Sequence, residues 1–142
     1  MSQKRWTWTT EQVLPSELGA GAEFIDQVLV QLSRHQWGEH DLFSVRLALE
    51  EALVNAMKHG NCLDRDKRVA VVCKMSPSRL LVTITDEGPG FAPDAVPDPT
   101  APENLERASG RGLMLMRSFM SRVEFNDTGN TVHMEKERGG GR

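Results

Sequence analysis

The order of three polar segments constrains the fold of this chain more than any single motif does. The first is a helical stretch, EEALVNAMKHGN (50–61). The second is a strand end that runs into the turn DEGPG (86–90), and the third is the glycine turn SGRG (109–112), which opens an apolar helix. A fold for this chain must therefore bring polar groups from a helix, a strand end and a helix start to the border of an apolar core.

Size and composition exclude several classes of protein. A chain of 142 residues is expected to form one domain with a core that needs no disulfide or zinc. The net charge of −3 does not favour nucleic acid as a partner. Without a signal peptide or an apolar run of membrane-spanning length, we expect a cytoplasmic protein that does not bind membranes. Cys62 and Cys73 have no second Cys/His pair at ligand spacing, so buried free thiols are expected.

The pattern of apolar and turn-forming residues predicts three helices among five strands. In chain order the predicted elements are an edge strand at 5–10, a helix capped by Ser16 that ends near Trp37-Gly38, a helix at 41–59, strands at 69–75 and 80–86, a helix at 113–120, and strands at 122–125 and 131–135. Four of the seven prolines lie in the segment 91–109, which predicts a functional lid. The tail 139–142 is predicted to be disordered.

The second predicted helix carries the first candidate site residues. Successive helical residues turn by about 100°, so Glu51 and Asn55 share one stripe while Glu50 points away. The neighbouring stripe is the predicted core face, formed by Leu42, Val45, Leu49, Ala52, Leu53 and Ala56. A carboxamide oxygen suits magnesium held together with phosphates, and a carboxylate one turn away could orient or deprotonate a hydroxyl or water. Alternatively, both side chains are only the solvated border of the helix. We expect Lys58 to be solvated and His59 to be structural.

The strand LLVTITD ends at the second candidate. Asp86 continues a row that faces the core, namely Leu80, Val82 and Ile84. Burying a carboxylate without a partner costs several kcal/mol, so Asp86 needs a donor. The amino group of adenine could be that donor, or Asp86 could instead cap the following turn. Gly88 and Gly90 would permit a tight turn and close approach to a flat ligand.

The third candidate is the glycine turn before the last helix. Gly110 and Gly112 could let backbone N–H groups point at an anion, although this could also be an ordinary loop-to-helix junction. The simplest role for the following apolar residues is in the core: Leu113, Met114, Met116 and Phe119. Together the three segments supply a candidate metal ligand, a buried acceptor and an anion cradle. That combination favours a site for a nucleoside triphosphate.

The same residues resemble the motifs of a known superfamily. EALVNAMKHG (51–60) is similar to the asparagine box of the GHKL ATPases, which include gyrase, the histidine kinases and MutL. DEGPGF (86–91) resembles their first glycine box and GRGL (110–113) their second. Within the superfamily the chain is most similar to the anti-sigma-factor serine/threonine kinases of bacterial partner switching, and the similarity covers nearly the whole chain.

The resemblance implies a fold and a set of site residues. The fold would be α+β, a two-layer sandwich with a mixed, mostly antiparallel sheet and helices on one face, the Bergerat-type ATP-binding fold, over residues 1–138. Asn55 would bind magnesium, Glu51 would act as the base, and Asp86 would accept from the adenine amino group. The remaining pocket residues would be Gly88, Gly90, Gly110, Arg111, Gly112 and Leu113.

The resemblance also implies an activity. It points to an ATP- and magnesium-dependent protein serine/threonine kinase that binds a sigma factor, phosphorylates an anti-sigma antagonist protein and forms a homodimer. Two features depart from the family pattern: the second glycine box is short, and the predicted lid is rich in proline. We also expect no dimerisation helix with a phosphate-accepting histidine, which argues against a complete sensor kinase. Two alternatives stay open, a non-catalytic sequestering module and a detached ATPase domain without a protein acceptor.

Overall fold

One sheet of five strands forms a layer of the structure, and helices cover one of its faces. The structure, a computed structural model, describes residues 6–88 and 110–139. Its elements are β1 (Trp8–Pro15), α1 (Leu18–Arg34), α2 (Glu39–Val54), a π-helix (Asn55–Gly60), β2 (Arg68–Met75), β3 (Arg79–Thr85), α3 (Gly110–Phe119), β4 (Arg122–Phe125) and β5 (Thr131–Glu137).

The strands lie in the order β1-β2-β3-β5-β4, and every pairing among the described residues is antiparallel. β1 is an edge strand, as predicted, although it begins later than expected and reaches Pro15. β3 lies in the middle of the sheet, with Val82 opposite Met134 and Ile84 opposite Val132. The expected two-layer α+β architecture is therefore confirmed, but the sheet is antiparallel throughout the described residues and not mixed as expected.

The core lies between the sheet and the helices. Alternate residues of the two central hairpin strands are buried: Val69, Val71, Cys73 and Met75 in β2, and Leu80, Val82 and Ile84 in β3. Phe24 and Val28 of α1 and Leu49 of α2 pack onto this row. Burial raises the pKa of the Cys73 thiol to about 12. Cys62 is exposed, so the expectation that both thiols are buried is wrong for this residue.

The ends of α1 differ from the prediction. Glu17 is the N-cap residue, and no side chain caps the helix. Ser16 cannot act as the cap because its buried hydroxyl donates to the Lys67 carbonyl instead, at 2.8 Å. The helix ends before Trp37 because Gln36 adopts a left-handed conformation (φ 65°) that reverses the chain.

The second helix contains an unexpected change of geometry. Its α-helical part ends at Val54, and the chain continues as a π-helix to Gly60, one residue past the predicted end of the helix. The Asn61 N–H donates to the Ala56 carbonyl at 2.9 Å, one residue further back than in an α-helix. The predicted core face is buried apart from Leu42, which is partly buried. Such widened turns are rare and occur frequently at functional sites.

The C-terminal part agrees with the prediction except at Met114 and at Phe119, which is only partly buried. Leu113 and Met116 are buried, whereas Met114 is 60% exposed, because its helical position points away from theirs. The Gly139 N–H donates to the Asp41 carboxylate at 2.9 Å, so the described chain holds one residue of the predicted tail in place. The predicted lid 91–109 and residues 140–142 lie outside the described residues. Within those residues, no helix has both the length and the apolarity needed to cross a membrane.

Candidate nucleotide-binding site

The end of α2 positions Glu51 and Asn55. The Asn55 N–H donates to the Glu51 carbonyl, so the α-helical register still holds here and the two side chains stand one turn apart. Both residues are half-buried. The side-chain nitrogen of Asn55 is buried and has no hydrogen-bond partner among the described residues. A buried donor without a partner costs about 1–3 kcal/mol, so this carboxamide is a strong candidate for contact with a ligand.

Glu50 lies on a different side of the same helix. It is exposed and lines a groove between α1 and α2, together with Arg46 of α2 and Asp26 of α1. Glu51 does not line that groove. The helical phase predicted from the sequence therefore holds, and the two adjacent carboxylates face different surroundings.

Asp86 follows β3 and is 9% exposed. Its Oδ1 accepts the Gly88 N–H at 2.7 Å, the turn-capping contact that was one of the two expectations. Burial raises the pKa of Asp86, and the Gly88 hydrogen bond and the positive charge of Lys67 offset that rise only in part. The capping contact uses one oxygen, so the carboxylate still carries a second acceptor for a ligand donor.

Two glycines bring the Asn55 and Asp86 segments into direct contact. A Cβ added to Gly60 would lie 2.5 Å from the Asp86 carboxyl carbon, and one added to Gly88 would lie 2.1 Å from the Gly60 carbonyl oxygen. Real Cβ atoms essentially never approach so closely. The end of the π-helix and the first glycine turn are thus packed backbone against backbone. Gly88 was predicted to make room for a flat ligand, and in the structure its missing side chain makes room for Gly60.

Asn61 is a site residue that the sequence did not predict. This asparagine is fully buried, and its side chain reaches the turn before α1, the start of β2 and the Asp86 turn. An asparagine after a helix-ending glycine is typical of an ordinary turn, so the residue type alone does not predict a role at the site. The only signal in the sequence is its position directly after the segment 51–60.

The second glycine turn begins α3, which packs against α2. The rings of Phe43 and Phe119 meet edge to face, with centroids 6.0 Å apart. Gly112 is buried and Leu113 belongs to the core. Gly90 lies outside the described residues, as does the side chain of Arg111. The positive end of the α3 dipole is the end that bears the glycines, which suits an anion.

A metal at this site would need ligands from a bound molecule. Across residues 6–88 and 110–139, no group of three or more His, Cys, Asp or Glu side chains could hold a metal ion. Asn55 can offer one neutral oxygen. Magnesium keeps several waters and binds through a few protein ligands plus phosphates, so this donor set fits magnesium that arrives with a nucleotide.

The fold and these segments define a histidine kinase-like ATPase domain. The family model of that description matches residues 14–136, and the chain belongs to this family. Within it, the chain is similar to serine-protein kinase RsbW of Staphylococcus epidermidis, at 27% identity over 140 residues that cover 90% of this chain and 88% of the relative. It is also similar to the anti-sigma F factor of Bacillus cytotoxicus, at 35% identity over 103 residues that cover 68% and 69% of the two chains.

A solved structure supports the same fold. The structure of the RsbU and RsbW domains of Rv1364c from Mycobacterium tuberculosis matches with a TM-score of 0.59 at 14% identity. The match covers 93% of this chain and 32% of that one. The resemblance found in the sequence is confirmed, since the relatives carry the names serine-protein kinase and anti-sigma F factor.

Proposed function

We propose that this chain is an ATP- and magnesium-dependent protein serine/threonine kinase that acts as an anti-sigma factor. One observation carries the proposal: the helix end with Glu51 and Asn55 and the turn with Asp86 are locked together through Gly60 and Gly88. That contact supports a shared site for the Asn55 carboxamide, the Glu51 carboxylate and the buried Asp86 acceptor. Similarity to a serine-protein kinase over most of the chain supports the same function.

Two residues would bind the nucleotide at its opposite ends. Asp86 would accept a hydrogen bond from the adenine amino group through the oxygen that does not cap the turn. Asn55 would contribute a magnesium ligand, and the N–H groups at the start of α3 would face the phosphates. When bound, magnesium-ATP supplies the transferable phosphoryl group and neutralises its charge.

Glu51 is the proposed base. It stands one turn from Asn55, so its carboxylate can take the proton of an acceptor hydroxyl near the metal-binding side chain. Glu50 is adjacent in sequence but lies in the groove against α1 and cannot fill this role.

The partners of the kinase are proposed from its relatives. Relatives that carry the name anti-sigma F factor favour a sigma factor as the bound partner. We propose a small antagonist protein with an acceptor serine as the substrate, and a homodimer as the functional state.

The decisive experiment compares Glu51→Gln with Glu50→Gln. The variants are mixed with γ-labelled ATP and with antagonist protein captured from the native cell, and label transfer is measured beside an ATP-binding isotherm. Glu51→Gln should bind ATP like the parent but transfer label about 10²–10⁴-fold more slowly, as expected for loss of a general base. Glu50→Gln should remain active.

Two other outcomes would change the proposal. Full activity of Glu51→Gln would show that the base is another residue. A parent protein that binds a sigma factor but phosphorylates no antagonist would favour the sequestering module.

A further inference from the structure

We propose that Asn61 is a positioning residue that holds Asp86 in the orientation needed to select adenine. The inference rests on the proposed function, because it concerns the same nucleotide site. Asn61 does not touch the proposed ligand. It acts through the backbone of the turn that carries Asp86.

The side chain of Asn61 joins three separate segments of the fold. Its Nδ2 group donates to the Ser16 hydroxyl and to the Arg68 carbonyl, both at 3.0 Å. Its Oδ1 accepts the Glu87 N–H at 2.8 Å. Both amide hydrogens and one acceptor position are therefore used, in a side chain that is 0% exposed. A fully buried amide with three of its four hydrogen-bonding positions used is held in one orientation.

The bond to Glu87 controls the residue before it. The Glu87 N–H belongs to the peptide group that directly follows Asp86, so fixing it fixes that peptide plane. The preceding peptide group is held as well, because the Asp86 N–H donates to the Asn130 carbonyl at 2.9 Å. With both neighbouring peptides fixed, the Asp86 carboxylate lies against Gly60 and accepts the Gly88 N–H.

Asn61 thus sets the distance between the two ends of the site. It directly follows the π-helix that begins at Asn55, and it binds the turn that carries Asp86. Loss of the Glu87 contact should leave the Asn55 side chain in place but allow the Asp86 carboxylate, the proposed adenine acceptor, to rotate. The expected consequence is poor discrimination between adenine and guanine, and not a general loss of phosphate affinity.

Ser16 offers a matched control in the same network. Its hydroxyl accepts from Asn61 and donates to the Lys67 carbonyl, but it does not touch Glu87. Ser16→Ala removes hydrogen bonds from this network and leaves the Asn61–Glu87 bond intact. If Asn61 served only to stabilise the fold, the two variants would differ only in thermal stability.

The experiment measures ATP, GTP and inorganic triphosphate affinities for the parent, Asn61→Leu and Ser16→Ala. The Leu side chain has a similar size and cannot accept the Glu87 N–H. Asn61→Leu should reduce the preference for ATP over GTP on the order of tenfold, the effect of about one hydrogen bond, while triphosphate affinity stays unchanged. Ser16→Ala should keep the parent's preference. An unchanged ATP/GTP ratio in Asn61→Leu would overturn the proposal.

A second measurement needs no ligand. Amide hydrogen exchange in the nucleotide-free protein should show Glu87 as protected in the parent and in Ser16→Ala, and exposed to exchange in Asn61→Leu or the smaller Asn61→Ser. A Glu87 amide that exchanges equally in all variants would overturn the positioning role. If the parent binds neither nucleotide, the proposed function fails, and the exchange data still decide whether Asn61 holds the turn.

Discussion

At the scale of single residues, Asp86 is the group whose surroundings conflict most with its chemistry. It is a carboxylate at the end of an apolar row, and burial raises its pKa from the ordinary value of 3.8. Ionising it in the folded protein is therefore less favourable than in the unfolded chain. Stability is lost as the pH rises from the unfolded pKa through the folded one, and above that range the loss is constant. A residue kept under such conditions is typical of a functional site.

Asp86→Asn should separate stability from binding. The amide oxygen can still accept the Gly88 N–H, and the desolvated charge is gone, so the thermal midpoint at neutral pH should stay equal or rise. ATP affinity should fall, because the strong charged acceptor for the adenine amino group is lost. Thermal unfolding and calorimetry on the same sample measure both effects. A clear drop in the midpoint without loss of ATP binding would contradict this assignment.

The raised pKa also predicts the pH dependence of binding. Protonation removes the charge of Asp86 and converts one acceptor oxygen into a donor. On acidification, ATP affinity should begin to fall at a higher pH than an ordinary aspartate would cause. Titration of the nucleotide phosphates changes ATP affinity equally in the parent and in Asp86→Asn. The difference between the pH profiles of the two proteins therefore isolates the contribution of Asp86. Parallel profiles would exclude it from the adenine contact.

At the scale of elements, the close contact between the π-helix and the first glycine turn is the main structural feature of the proposed site. An added Cβ on Gly60 would meet the Asp86 side chain, whereas one on Gly88 would meet the Gly60 backbone. A side chain can move away and a packed backbone cannot do so without disturbing the fold. The two glycines should therefore fail in different ways when substituted.

The main effect of Gly60→Ala should be on ATP affinity and not on the free energy of unfolding, because the added methyl group displaces the Asp86 carboxylate. Gly88→Ala should be the less stable of the two, since the clash is with backbone atoms. Gly19→Ala in α1 is the control: nothing lies within 4 Å of its added Cβ, and alanine should stabilise this helix by about 0.5–1 kcal/mol. Denaturant midpoints and ATP isotherms for the three variants test the order. Equal losses of stability in Gly60→Ala and Gly88→Ala would contradict it.

The same comparison shows what sequence could and could not predict. Strands β2 to β5 were predicted within a few residues because strict alternation and clear turn residues determine them locally, as in β3, whereas β1 runs five residues past its predicted end. The Glu51–Asn55 stripe followed from helical phase alone. The π-helix, the use of Ser16 away from the helix cap, and the role of Asn61 depend on partners far away in sequence, and no local pattern contains them. The functional roles of Glu51 and Asn55 remain predictions.

At the scale of the whole molecule, a buried ion pair fastens the last strand to the start of α2. Lys136 is fully buried, and its Nζ lies 3.7 Å from the Asp41 carboxylate, which also accepts the Gly139 N–H. Arg138 adds contacts to the Gln36 carbonyl and to the Ser78 carbonyl. These contacts join the C-terminal end of β5 to the start of α2 and to the segment after α1, away from the Asp86 turn.

Asp41→Ala should destabilise the whole fold by roughly 3–5 kcal/mol, because it leaves the Lys136 charge buried without its carboxylate. The double variant Asp41→Leu with Lys136→Met should recover most of that loss, since apolar groups of similar size often replace buried pairs without penalty. Denaturant unfolding measures both. A single variant within about 1 kcal/mol of the parent would show that the pair is not coupled to global stability.

The two thiols differ enough in exposure and reactivity that one of them can be labelled selectively with a fluorescent dye. Cys73 is buried and, with a pKa raised to about 12, holds almost no reactive thiolate at neutral pH, whereas Cys62 is exposed and follows Asn61 directly. A maleimide dye should therefore attach at one known position without any engineered cysteine. Its fluorescence would follow nucleotide binding in real time from the residue after Asn61, whose side chain binds the turn that carries Asp86.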